Sequence, residues 1–110
     1  MERIINELYN TIENRKDKLS NEGSYTSYLF SKGREKILKK VGEECTELII
    51  ASMKEDNKEE QVNEMCDLLY HLLVLSSDIG ISLEDITNEL KERSKKINNF
   101  KGERKSIENI

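Results

Sequence analysis

Proline and tryptophan are missing from the 110 residues, histidine occurs once, cysteine twice and glycine five times. Without proline, turns must rest on Gly, Asn and Ser, and no helix is interrupted by a residue lacking an N–H. Neither Cys45 nor Cys66 forms a Cys-x-x-Cys pair, so a disulfide framework of the secreted type is excluded. Both thiols read as small core residues of a reduced chain. No signal peptide and no apolar run long enough to span a bilayer is present, so the chain is expected in the cytoplasm with no membrane partner. A net charge of −4 and a pI near 5.2 argue against non-specific nucleic-acid binding, and the expected partner is small. Alternation of the strand type and internal repeats are also missing, which leaves an all-α architecture.

What is present is helical. Ile4, Ile5, Leu8, Tyr9 and Ile12 predict a first helix over 2–16, followed by a polar loop over 17–23. Ser24 is the expected N-cap of a short helix with Tyr25, Tyr28, Leu29 and Phe30, stopped near Gly33. A long helix over 34–55 follows, with the stripe Ile37, Leu38, Val41, Cys45, Leu48, Ile49 and Ser52. Asn57 with Glu60 resembles a capping box, and the next helix runs over 58–79 with Gly80 as its stop. Ser82 caps a last helix along Leu83, Ile86, Leu90 and Ile97. One domain over 1–97 and a polar, flexible tail over 98–110 are expected.

A short turn makes the two long helices antiparallel, with flanking helices on either side. Apolar content of 35% is lean for a stand-alone globule of this size. Tyr70, Leu73 and Val74 point away from the Glu64 side, and one small chain offers little to cover them. A four-helix-bundle core completed by a homodimer is therefore expected.

Two acidic signatures lie on the hairpin: Glu44-Cys45-Thr46-Glu47 and Glu64-Met65-Cys66-Asp67. Acids three apart on a helix are about 60° apart around it, so each pair can share one ion. Asp67 stands in Met65 to Leu75, apolar nearly all round, so its helix is expected to be buried. Four ionised carboxylates converging there repel without a cation. Oxygen-only ligands away from any Cys/His cluster favour Mg²⁺, with Mn²⁺ as a substitute. Glu44, Glu47, Glu64 and Asp67 are thus the candidate metal ligands and catalytic carboxylates. On the long helix, Glu44 projects to the border of the apolar stripe and Glu47 one step outside it. Glu43 projects farther out and is given a supporting or solvated role.

Lys32, Arg34, Lys36, Lys39 and Lys40 precede the acids. Most of them belong to a solvated face. Lys36 and Lys40, one turn apart on the side of Glu44 and Glu47, are the phosphate candidates for a polyphosphate substrate. His71 lies one turn after Asp67, where a hydrogen-bonded core histidine is the ordinary reading. Tyr70 projects elsewhere as a structural residue.

These stretches, with Gly23-Ser24-Tyr25-Thr26, the run Lys36 to Glu44, Thr46-Glu47, Glu64 and Asp67 to Leu73, resemble the phosphoribosyl-ATP pyrophosphatases of histidine biosynthesis, within the MazG-like all-α nucleotide pyrophosphohydrolases. The likeness spans about residues 8–90 and departs from the family at Cys45 and Cys66, where alanine is common. It implies Mg²⁺-dependent hydrolysis of phosphoribosyl-ATP to phosphoribosyl-AMP and pyrophosphate, and it places Tyr25 and Thr26 among the substrate-binding residues. Two other readings stay open: a MazG-like pyrophosphohydrolase clearing non-standard nucleoside triphosphates, and a non-catalytic helical interaction module.

Overall fold

The computed structural model describes residues 1–16 and 23–96, all of whose regular elements are α-helices. The order is α1 Glu2–Asn14, α2 Tyr25–Lys32, α3 Arg34–Ser52, α4 Lys58–Ile79 and α5 Leu83–Ser94. Most of the expected loop over 17–23, together with Ile97 and the tail over 98–110, lies outside the described residues.

The chain divides at Gly80 into two units, 1–80 and 81–110. In the first, α3 and α4 form a hairpin packed along its length, with α1 against α4 and α2 against α3. Ser24 caps α2 as expected, accepting from the Ser27 amide at 3.2 Å. Gly33, at φ 93°, breaks the chain between α2 and α3 in a conformation other residues rarely adopt.

α3 ends at Ser52, earlier than its periodicity predicts, and Asn57 does not act as a side-chain cap of α4. Its Nδ2 donates back to the Ala51 carbonyl at 2.9 Å, and Gln61 Nε2 donates to the same oxygen at 3.2 Å. The orphan carbonyls at the end of α3 are satisfied from the next helix, which closes the turn. At the other end of the hairpin, Gly80 takes the left-handed conformation that stops α4. α4 has no basic residue in its last turn, so cations reach its C-terminal dipole from neighbouring elements. Lys16 Nζ donates to the Ser77 carbonyl at 2.8 Å, while Arg34 bonds Asp78 through its side chain at 2.8 Å and its carbonyl at 3.3 Å. Buried Ser77 also donates to Glu13, whose carboxyl is held below the ordinary range chiefly by that bond.

The core contains Ile12, Leu29, Phe30, Ile37, Ala51, Leu73 and Val74. Three expectations are corrected. The inward line of α3 is Ile37, Val41, Glu44, Leu48 and Ala51, whereas Leu38 and Ile49 are exposed. The stripe is thus rotated by about one residue, and an acid sits at its centre. Leu73 and Val74 are 4% and 0% exposed within the single chain, because helices of the same unit cover that side of α4. They therefore require no second subunit. Finally, α4 is not buried all round. Val62, Met65 and Leu72 form an exposed line, and Cys66 is exposed beside it rather than being a core residue.

In the second unit, Ser82 and Asp85 form a reciprocal capping box at the start of α5, with bonds of 3.1 and 3.0 Å. Pairs such as Arg93 with Glu89 at 3.0 Å support the helix face.

Candidate active site

Glu44 owes its position to the α3 line, which turns it toward α4 with 7% of its surface exposed. One turn on, Glu47 is exposed at the rim, and Glu64 faces the pair from α4. One carboxylate oxygen from each of the three lies within 4.8 Å of the others. Oε2 of Glu44 and Oε2 of Glu64 are both out of solvent with no hydrogen-bond partner. Unsatisfied buried oxygens on converging carboxylates are the arrangement a cation relieves.

The electrostatics agree with the geometry. Burial pushes the Glu44 carboxyl up from the ordinary range, and the charges of Glu47 and Asp67 push it further, against a smaller pull from Lys40. Glu64 is raised in the same way, first by desolvation and then by Glu47, Asp67 and Glu44. Asp67 is half-buried and stands outside the tight triplet, but its charge acts on both Glu44 and Glu64. Three oxygen donors with a fourth beside them match a hard divalent ion, and the residues present fit such an ion.

Lys40 lies against this cluster, with Nζ 3.2 Å from Glu43 and 3.9 Å from Glu44. The hydrogen bond to Glu43 is the main cause of the raised pKa of Lys40 and of the lowered pKa of Glu43. Glu43 therefore holds a cation at the rim rather than joining the acid centre. Lys36 is half-buried one turn before Lys40, within electrostatic range of Glu43.

α2 supplies the opposite wall. The Tyr25 hydroxyl is 3.0 Å from His71 Nε2, and His71 Nδ1 is 2.7 Å from the Asp67 carbonyl. Burial raises the Tyr25 hydroxyl above its ordinary pKa, opposed by Lys40, which lies within electrostatic range together with Glu44. Thr26 is bonded through its hydroxyl to Tyr70, whose pKa burial also raises. Tyr70 thus ties α2 to α4, and Thr26 is half-buried with its hydroxyl already engaged.

The Tyr25–His71–Asp67 connection is the feature that reading the residues alone missed. Half of it was accessible, since a histidine four residues after Asp67 on a helix can bond that residue's carbonyl. The other half joins residues 46 apart and leaves no periodic trace.

Residues 5–94 match the family model described as phosphoribosyl-ATP pyrophosphohydrolase. The chain is 61% identical over 107 residues to the phosphoribosyl-ATP pyrophosphatase of Clostridium acetobutylicum, covering 97% of this chain and 96% of the relative. It is 54% identical over 110 residues to the protein of the same name from Bacillus cytotoxicus, with both chains fully covered. A third such protein, from Clostridium botulinum (strain Hall), is 55% identical over 107 residues, 97% of this chain and 96% of the relative.

Proposed function

Because the chain belongs to the phosphoribosyl-ATP pyrophosphohydrolase family, we propose that it hydrolyses phosphoribosyl-ATP to phosphoribosyl-AMP and pyrophosphate in histidine biosynthesis. The observation that carries this reading is the buried Glu44 carboxylate, whose Oε2 has no partner, at the centre of an α3 core line and converging with Glu47 and Glu64. In a merely structural helix an acid so placed would have only the long, partly solvated Lys40 contact to offset its burial and the charges of its acidic neighbours.

Glu44, Glu47 and Glu64, with Asp67 beside them, would hold the ion, and oxygen ligation supports Mg²⁺ with Mn²⁺ as a substitute. When bound, the ion supplies positive charge to phosphate oxygens. The chain's own residues supply the rest. Lys40 and Lys36 offer cations to the polyphosphate from the α3 side, and Tyr25 borders the same space. One of the four carboxylates would orient the attacking water and take its proton. A water molecule adds across the α–β anhydride, whose P–O bond breaks, and pyrophosphate leaves. The substrate is too highly charged to cross a bilayer unaided, which supports action in the cytoplasm. Among the described residues no single helix is long and apolar enough to span a membrane.

Pyrophosphate release from phosphoribosyl-ATP, measured beside a panel of standard and non-standard nucleoside triphosphates, tests the reading. Preference for a triphosphate would favour the MazG-like alternative, and no turnover with Mg²⁺ or Mn²⁺ would favour an interaction module.

A homodimer is also proposed, now on different residues. Ile49, Ile50, Met53, Val62, Met65 and Leu72 are 40–80% exposed along the α3–α4 hairpin, an apolar area that favours a partner of the same kind. A monomeric mass in sedimentation at micromolar concentration would refute it.

A further inference from the structure

A carbonyl oxygen can only accept a hydrogen bond, and His71 Nδ1 is 2.7 Å from that of Asp67. Nδ1 therefore carries the proton. In the neutral ring Nε2 is then the lone-pair nitrogen, and the Tyr25 hydroxyl 3.0 Å away donates to it. The ring is 5% exposed and meets Tyr70 and Tyr25 edge-on, with centroids 4.9 and 5.8 Å away, so it has no room to turn over.

We propose that His71 is a positioning residue that fixes the Tyr25 hydroxyl as an acceptor-only oxygen, and that Tyr25 thereby binds the sugar and base end of a nucleotide rather than its phosphates. With its one proton held by His71, the Tyr25 oxygen offers only lone pairs. Those lone pairs repel a phosphate oxygen and accept from a ribose hydroxyl or a base amine. Tyr25 has 46% of its surface exposed, and its ring stacks on the half-exposed Tyr28 and on Tyr70 with centroids 6.1 and 6.2 Å apart, which places a group of aromatic rings at the same spot. Lys40 stands on the acid side of Tyr25, so cations and acceptor divide the site between phosphate and nucleoside. Because His71 bonds the carbonyl of Asp67 itself, the nucleoside wall on α2 is also tied to the acid-bearing turn of α4. The proposal deepens the phosphoribosyl-ATP reading and rests on it.

His71 is the chain's single histidine, so a long-range ¹H–¹⁵N spectrum contains one pair of ring-nitrogen signals. At alkaline pH, Nδ1 is expected protonated and Nε2 bare, with the Nε2 resonance moving in Tyr25→Phe. An Nε2–H tautomer would overturn the assignment. In titrations with AMP and with pyrophosphate, Tyr25→Phe and His71→Asn should each weaken AMP by about three- to tenfold, and the double variant no further. Pyrophosphate binding should be unchanged. His71→Gln, whose amide oxygen can accept from Tyr25, should recover part of the AMP affinity. Equal losses for AMP and pyrophosphate, additive effects, or a lowered melting temperature with AMP affinity intact would each overturn the proposal. A parent that turns over no phosphoribosyl-ATP would refute the functional reading alone, since the ring-nitrogen spectrum still decides the hydrogen-bond assignment.

Discussion

Replacing Glu44 by Gln separates a metal site from a structural acid by the sign of its effect on stability. In the metal-free protein the Glu44 carboxylate is 7% exposed, its Oε2 has no partner, and an oxygen of Glu47 lies within 4.8 Å. Two unit charges at 4.8 Å repel by about 1 kcal/mol in bulk water and about 3.5 kcal/mol at an effective dielectric of about 20. Glu47 is exposed, so the lower figure governs. Against this relief stands the loss of the Lys40 contact, at 3.9 Å and partly solvated, which contributes about 0 to 1 kcal/mol. Lys40 keeps its closer bond to Glu43 in any case. The Gln amide also introduces a donor among acceptor-only neighbours. In chelator, Glu44→Gln should therefore melt no lower than the parent and as much as about 5 °C higher.

With metal the order reverses. An ion held only by the folded form adds about 2.7 kcal/mol at about a hundredfold excess over its Kd. The parent should gain that stability and Glu44→Gln should lose most of it, together with orders of magnitude in activity. Four melting curves, parent and variant each in chelator and in Mg²⁺, decide the matter. If the variant melts clearly lower in chelator, by about 1 kcal/mol or more, yet keeps the parent's metal-induced gain, Glu44 is a structural acid and the shared-cation site is refuted.

Lys40→Ala should raise KM for phosphoribosyl-ATP by about fivefold or more and leave the Mg²⁺ midpoint of the melting shift unchanged, because its cation serves the phosphates; unaltered kinetics would return Lys40 to the solvated surface. Glu44 and Glu64 have folded pKa values raised above the ordinary carboxylate value of 4.5, so the metal-free protein binds extra protons when folded and should gain stability as pH falls from neutral toward that value. Over the same window the Mg²⁺-induced shift should shrink, since protons compete with the ion; below it, Glu13, whose pKa is lowered, loses its contribution as it protonates, and the gain should reverse. Melting temperatures against pH, with and without chelator, check both signs. Gly80→Ala should lower the melting temperature by about 5 °C through backbone strain alone, because Gly80 sits at φ 82° and an added Cβ meets nothing within 4 Å.

Helix identity was legible because it depends on local chemistry. Ser24 and Ser82 announce helix starts, Gly33 and Gly80 announce stops, and α4 runs between the residues its periodicity predicts. Facing was less legible, because apolar identity is an imperfect guide to which side is covered. Leu38 and Ile49 joined the expected stripe of α3 as aliphatics, and Glu44 was set at its border as an acid, whereas packing against α4 turns Ile37, Glu44 and Ala51 inward. Leu73 and Val74 were expected to need a second subunit because nothing in the periodicity of α4 reveals that neighbouring helices cover that side. The turn at Asn57 carries cap chemistry, but its amide reaches six residues back to Ala51, a contact that exists only once both helices are placed.

The convergence of Glu44, Glu47 and Glu64 was readable despite this error of facing, and the error bears on the chemistry. Had Glu44 stood at the border of the stripe, water could have solvated it, and the acidic pairs would be ordinary surface charge. Its place in the core line between Val41 and Leu48 removes that option, as does the unpartnered Oε2 of Glu64 across the hairpin. The helices hold the carboxylates together because Ile37, Ala51, Leu73 and Val74 bury their apolar surface on the same hairpin that carries the acids. Apolar packing thus supplies the energy that keeps like charges converged, and an ion bound at the proposed site would release the strain that this convergence stores.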